Sequence, residues 1–279
     1  MNVLDAIKIF RDRQLPTLKP STQQSYNFLI SKLSKSLGDQ SLELIAPDHM
    51  LTFLESVVGT ASKSTRRLRF AQVKALFNFV ISTCDLNIKN PCSHPLLSKQ
   101  FKAPKQVQKL ILDKELVDEL IYKTESIRDR LILELQARCG LRVGEVLKLR
   151  VTDVSDRKLT IREPKSGKES ETAFMPEQIA KRLSEYISSK ELQPEDRLFP
   201  ICYSTVRSLI KRLGSQFNMN ISPHDFRRHS ATFASRNGVP LEIISKVLLR
   251  HHDLKTTQVY LGKVTDTEAV RWMDTLHRK

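Results

Sequence analysis

Apolar residues return every three to four positions through the first hundred residues, the spacing that gives a helix one buried face. Val3, Ile7 and Phe10 form one such stripe and Tyr26, Ile30 and Leu33 another, predicting helices over 2–14 and 21–37. Pro20, Ser21 and Thr22 supply a start for the second, and Gly38 a stop. A third helix fits 47–58, ended by Gly59. A longer fourth fits 61–83, where Phe70, Val73, Phe77 and Val80 make the apolar stripe and Lys63, Arg66, Arg67 and Lys74 occupy the adjoining face. The periodicity lapses over 95–110 (PLLSKQFKAPKQVQKL). Four lysines, three glutamines and two prolines there predict an extended basic linker, with a boundary near residue 105.

Helical spacing resumes over 113–123 and 126–138, breaks at Gly140, and restarts at 142. Residues 158–162 (KLTIR) and 171–175 (ETAFM) predict two short strands, with Pro164 and Gly167 marking the turn of a hairpin. Further helices fit 177–189, 203–217, 225–237, 241–249 and 255–261. A last amphipathic stretch, 265–277, places Val270, Met273 and His277 on one side. The expected fold is mainly α with a small antiparallel β-sheet. Its two domains are a helical one over 1–100 and a second over 112–279, joined by a basic linker at 101–111.

Composition narrows the function. At 279 residues and 40% hydrophobic, the chain can build two cores, yet no apolar run approaches the roughly 18–20 residues that span a membrane. The N-terminus has charges spread through it and no apolar core, so no secretory leader is expected. Cys84, Cys92, Cys139 and Cys202 are scattered and read as reduced thiols of a cytoplasmic protein. Cys92 and His94 make at most half a zinc site, so no metal is expected. Net charge is +15, with a pI of about 9.8, which points to a polyanion, nucleic acid ahead of a membrane surface. Residues 1–110 carry 16 Lys and Arg against 7 Asp and Glu, so charge is densest where a phosphate backbone would be gripped. On that reading Lys63, Arg66, Arg67 and Lys74 contact DNA phosphates; the plain alternative is a solvated face.

Four short boxes carry candidate chemistry. In GLRVGE (140–145), Val143, Val146 and Leu147 are spaced to bury one face, leaving Arg142 beside Glu145. Such an arginine can fork onto two phosphate oxygens while the carboxylate holds its orientation; alone, the box reads as a surface ion pair. Lys165 stands at the hairpin tip, placed to protonate a departing alkoxide, with Lys168 as its competitor. In PHDFR (223–227), His224 and Arg227 are i and i+3 and share a helix face, while His229 reads as structural. In LLRHHDLKTTQVY (248–260), His251 precedes Tyr260 by nine residues. A phenol with a pKa near 10 needs neighbouring cations before it can act as a nucleophile at neutral pH.

Taken in order, Arg142, Lys165, His224, Arg227, His251 and Tyr260 resemble the active-site series of the tyrosine recombinases, also called the phage integrase family. The strings HDFRRHSATF and LLRHHDLKTTQVY are similar to that family's usual ones. The resemblance covers the catalytic half, and the basic helical half is similar to the family's core-binding domain. It implies that Tyr260 attacks a DNA phosphate to form a 3′-phosphotyrosyl link and free a 5′-hydroxyl. Arg142 and Arg227 would neutralise the non-bridging oxygens and Lys165 would protonate the leaving oxygen. His224 would serve as general acid and base, His251 would hydrogen-bond the phosphate, and Glu145 would support the pocket. No cofactor and no divalent metal are implied.

The implied partner is double-stranded DNA with inverted-repeat core sites. It is held in a C-shaped clamp by a homotetramer, with residues 265–279 docking onto a neighbouring protomer or packing back on their own domain. An accessory DNA-bending or directionality factor is left open. Cutting and resealing in the manner of a type IB topoisomerase, or DNA binding without catalysis, are the alternatives. Two departures stand out. Arg250 occupies the place where glycine commonly precedes the last histidine, and KESETAFMP lacks the basic residue usual before its final proline.

Overall fold

The structure, a computed structural model, describes residues 1–102, 110–164, 167–251 and 253–261, without the side chains of Val259 and Tyr260. It divides into two compact units, Met1–Val107 and Gln108–Lys279.

The helices of the first unit begin at side-chain caps or at prolines. In α1 (Val3–Arg13) the Asn2 side chain accepts from Asp5 N–H at 2.8 Å and Asp5 accepts from Asn2 N–H at 3.2 Å, a reciprocal capping box. Proline opens α2 (Pro20–Leu37) and α3 (Pro47–Val58), where its missing N–H costs nothing. Ser62 caps α4 (Lys63–Thr83). The apolar stripes converge as expected: Phe10 meets Tyr26 and Phe79 at ring separations of 5.1 and 5.5 Å, and Val73, Phe77 and Val80 are buried.

The linker expectation needs correcting at its start. Residues 95–100 form a helix, α5 (Pro95–Gln100), and both Leu97 and Phe101 are buried in the first core, with Phe101 stacked on Phe70 at 5.3 Å. Two large apolar side chains four positions apart decide the matter, because burying each is worth about 1.5–3 kcal/mol. Residues 103–109 lie outside the described residues.

The second unit is organised around α7 (Ile127–Cys139), which is buried nearly all round, from Leu131 through Leu135 to Cys139. It is flanked by α6 (Lys114–Tyr122), α9 (Glu177–Ser189) and α11 (Pro223–Arg236). Gly140 ends α7 in the left-handed conformation (φ +62°), and a Cβ there would lie 2.9 Å from the Leu248 carbonyl oxygen. Next comes the single turn α8 (Val143–Val146). Strands β1 (Val154–Ser155), β2 (Lys158–Arg162) and β3 (Ser170–Phe174) make one antiparallel sheet in that order, β2 and β3 pairing from Lys158 with Phe174 to Arg162 with Ser170. Leu159, Ile161 and Ala173 alternate into the core.

After α10 (Tyr203–Ser215) and α11, one helical turn, α12 (Leu241–Ile243), widens into a π-helical turn at Ile244–Leu248. There Leu249 N–H reaches back to the Ile244 carbonyl at 2.8 Å. Such wide turns often mark functional sites. The chain then reaches α13 (Leu254–Leu261). No helix among the described residues is long and apolar enough to cross a membrane.

Candidate active site

The sequence of α11, PHDFRRHSATFASR, is polar, yet Arg227, Arg228, His229, Ser230 and Thr232 are all buried. Buried charges and donors must be partnered, so their partners outline the machinery. Asp225 takes the guanidinium of Arg228 at 2.6 Å and caps its own helix by accepting from Ser222 N–H at 2.9 Å. His229 contacts the Leu112 carbonyl at 2.8 Å, and burial lowers its pKa, so it acts as a packing residue.

Arg227, with 1% of its side chain exposed, donates to the carbonyls of Gly140 and Leu249 and lies 4.0 Å from Glu145. It therefore ties the end of α7 to the end of the π-helical turn. Arg142, the N-cap of α8, keeps 26% of its side chain exposed and donates Nη1–H to Glu145 at 2.5 Å. The same carboxylate accepts from Arg142 N–H at 2.9 Å. Arginines 85 positions apart thus converge on one carboxylate. Burial alone would raise the pKa of Glu145; Arg250, Arg142, the Arg142 N–H and Arg227 outweigh it and hold the group ionised below its ordinary value.

His251 completes the cluster. Its Nε2 is 3.3 Å from Arg227 Nη2, and its Nδ1 is 2.9 Å from Thr257 Oγ1 on α13, which in turn donates to Ser245 Oγ at 2.9 Å. Because Arg227 can only donate, Nε2 accepts and Nδ1–H donates, which fixes the tautomer. Burial, then Arg227, Arg142, Arg250 and His224, lower the His251 pKa to about 4, so the ring is neutral at pH 7. His224 is exposed on the first turn of α11, close enough to act on His251.

Of the expected series, Arg142, Glu145, His224, Arg227 and His251 come together. Tyr260 has its backbone in α13, three residues beyond Thr257; its side chain, like Lys165 and the tail 265–279, lies outside the described residues. Lys168, the competing hairpin lysine, lines a 370 Å³ cleft with Glu171, Lys246, Arg250 and His251. Sequence reasoning missed Ser245 and Thr257, which hold the histidine ring, and Glu171. It noticed Arg250 only as an oddity.

On the first unit, Lys63 and Arg67 are exposed, while Arg66 and Lys74 are half-buried. Arg66 leans over Phe101 and Arg67 over Phe70, at 5.5 and 5.7 Å from the ring centres.

The first unit is helical and bears exposed cations, and the second brings two arginines and a histidine together. Residues 105–266 match the phage integrase family, and the chain belongs to it. Over 157 residues it is 32% identical to the tyrosine recombinase XerA of Saccharolobus solfataricus, a stretch that is 56% of this chain and about half, 53%, of that protein. It is 29% identical over 234 residues to a tyrosine recombinase of Pseudothermotoga lettingae, covering 76% and 77% of the two chains. The Tn1549 transposon integrase in complex with transposon right end DNA superposes along the full length of both chains, at TM-score 0.75 and 16% identity. A lambda integrase dimer bound to a COC′ core site matches at TM-score 0.73 and 19% identity, over 93% and 94% of the chains. These two likenesses show the shared fold.

Proposed function

We propose that this chain is a site-specific DNA recombinase that cuts and rejoins duplex DNA through a 3′-phosphotyrosyl intermediate. The observation that carries the reading is the convergence of Arg142 and Arg227 on Glu145, with His251 3.3 Å from Arg227. Two guanidinium groups beside a neutral imidazole form a socket for a phosphodiester, whose single charge they offset both in the ground state and as phosphorus becomes five-coordinate.

In this mechanism the Tyr260 oxygen bonds to phosphorus as the bond to the 5′-oxygen breaks. His224 takes the phenol proton, and Lys165 gives one to the leaving oxygen. Lys168, which lines the cleft, is the alternative donor. His251 is neutral in the socket before DNA arrives; an anion beside it would favour protonation at Nε2, and that N–H would then donate to a phosphate oxygen. The phosphate ester energy stays in the covalent link, so a new 5′-hydroxyl can reverse the step without ATP.

Lys63, Arg66, Arg67 and Lys74 would grip phosphates of duplex DNA carrying inverted-repeat core sites. Four protomers would act on two sites, with 265–279 docking onto a neighbour. The lambda integrase tetramer bound to a Holliday junction, a fold relative at TM-score 0.69, supports that assembly.

A nicked suicide duplex tests the reading. It carries the inverted repeat that the chain selects from a randomised duplex library. The wild-type chain should form a covalent protein–DNA adduct, and Tyr260→Phe should form none while binding the same DNA. Full capture by Tyr260→Phe would reject the nucleophile. An adduct with relaxation of supercoils but no two-site product would favour the topoisomerase reading.

A further inference from the structure

Arg250 has a backbone φ of +51°, in the left-handed region that a Cβ makes unfavourable, yet its side chain is only 3% exposed. A long, charged residue in a glycine-like conformation, buried, needs a compensating interaction. The guanidinium meets three segments at once. Its Nη1 donates to the Leu248 carbonyl at 2.9 Å, its Nη2 donates to Glu145 Oε2 at 2.8 Å, and its Nε lies 3.6 Å from Glu171 Oε2 on β3.

Glu145 Oε2 is the same oxygen that takes Arg142 N–H, while Oε1 holds the Arg142 guanidinium. Arg250 thus fixes the carboxylate that aims Arg142. Through Glu171 it also anchors the strand that leaves the hairpin turn. The left-handed turn at 250 sets the next residue as well, since His251 N–H returns to the Ser245 carbonyl at 2.8 Å.

We propose that Arg250 is a positioning residue of this active site, which orients Arg142 through Glu145 and fastens strand β3 to the cleft through Glu171. In this role Arg250 acts through Glu145 and Glu171 and not on the phosphate itself. Its replacement should slow covalent capture without weakening DNA binding. The socket around Arg142 is then built from an ion network, Arg142–Glu145–Arg250–Glu171, spanning α8, the turn before His251, and β3. The proposal rests on the recombinase reading.

The test uses the full chain and the nicked suicide duplex just described, with single-turnover capture measured at saturating DNA. Arg250→Gly suits the +51° backbone, so the fold should persist, and its DNA dissociation constant should stay within twofold of wild type. Capture should slow at least tenfold. Arg250→Lys, which keeps the charge but cannot reach all three partners, should recover part of the loss. In a Glu145→Gln background, Arg250→Gly should add less slowing than in the wild-type chain, because the part that acts through that carboxylate is already lost and only the Glu171 part remains.

Capture by Arg250→Gly within twofold of wild type overturns the proposal, as does slowing that multiplies independently with Glu145→Gln. If Arg250→Gly does not fold, Arg250→Lys decides, and a wild-type capture rate for it refutes the positioning role. Absence of any adduct with the wild-type chain would sink the recombinase reading and this inference together. A wild-type adduct with an unaffected Arg250→Gly sinks only the inference.

Discussion

On α4 of the first unit, Arg66 and Arg67 lie against the faces of Phe101 and Phe70, with Arg67 open to water and Arg66 half so. In the second unit Arg227 and Arg250 have 1% and 3% of their side chains exposed and end on carboxylates and backbone carbonyls. The same residue type serves two purposes. A cation over a ring at the surface gains about 0.5–1 kcal/mol and remains free to turn toward a phosphate. A buried guanidinium is held by groups whose loss costs about 3–5 kcal/mol, so its geometry is set before any DNA arrives. The first arrangement favours affinity that salt can screen; the second favours a fixed transition-state contact.

The strongest way to break this contrast is Arg227→Met. Methionine fills much of the volume but leaves the Gly140 and Leu249 carbonyls without their donor, so stability should fall by about 1–3 kcal/mol. Capture at saturating DNA should fall about 100- to 1000-fold, the usual effect of removing one preorganised charge donor. Near-normal capture, measured by single-turnover gel assay, would show that the buried arginine is only a structural strut.

Lys63→Ala with Arg67→Ala is the complementary change. DNA affinity should drop by roughly tenfold, and the slope of log affinity against log salt should shallow by about 1 for each phosphate that is no longer neutralised. Capture at saturating DNA should not move. An unchanged salt slope would return these two side chains to the role of a solvated face.

How much of this was legible from the chain alone differs between the units for a physical reason. In α2, α3 and α9 the signals are local: Pro20 and Pro47 at helix starts, Gly38 and Gly59 at ends, and apolar stripes between. Helix α5 was hidden because it opens a stretch, 95–110, whose prolines, lysines and glutamines read as a linker, while the two residues that bury it, Leu97 and Phe101, are a minority there. Strand β1, only two residues long, has no periodicity to read. In the site, Arg142, Arg227 and His251 were identifiable by order and spacing. Arg250 could be seen only as a departure. Its role depends on a +51° backbone and on Glu145 and Glu171, which lie 105 and 79 positions away. The π-helical turn was similarly invisible, since hydrogen bonds one residue longer than normal leave the apolar spacing almost unchanged.

A smaller effect sharpens the same contrast through pH. The folded-state pKa of His251, about 4, lies below its ordinary 6.5, so the unfolded chain takes up the proton first as pH falls. Its contribution to stability is complete above pH 6.5 and is lost as pH drops from 6.5 toward 4. His229 is depressed in the same direction. Thermal midpoints at pH 7 and pH 5 should therefore diverge more for the wild-type chain than for His251→Gln. Equal losses would mean that the imidazole is not held neutral by burial and the surrounding arginines.

The central claim is that the buried arginines serve a phenol that becomes joined to DNA. Its most direct test is mass spectrometry of the adduct trapped on the suicide duplex, after protease and nuclease digestion. The account predicts a nucleotide joined through its 3′-phosphate to the peptide carrying Tyr260, on the tyrosine oxygen. A nucleotide found on any other residue, or attached through a 5′-phosphate, would contradict it.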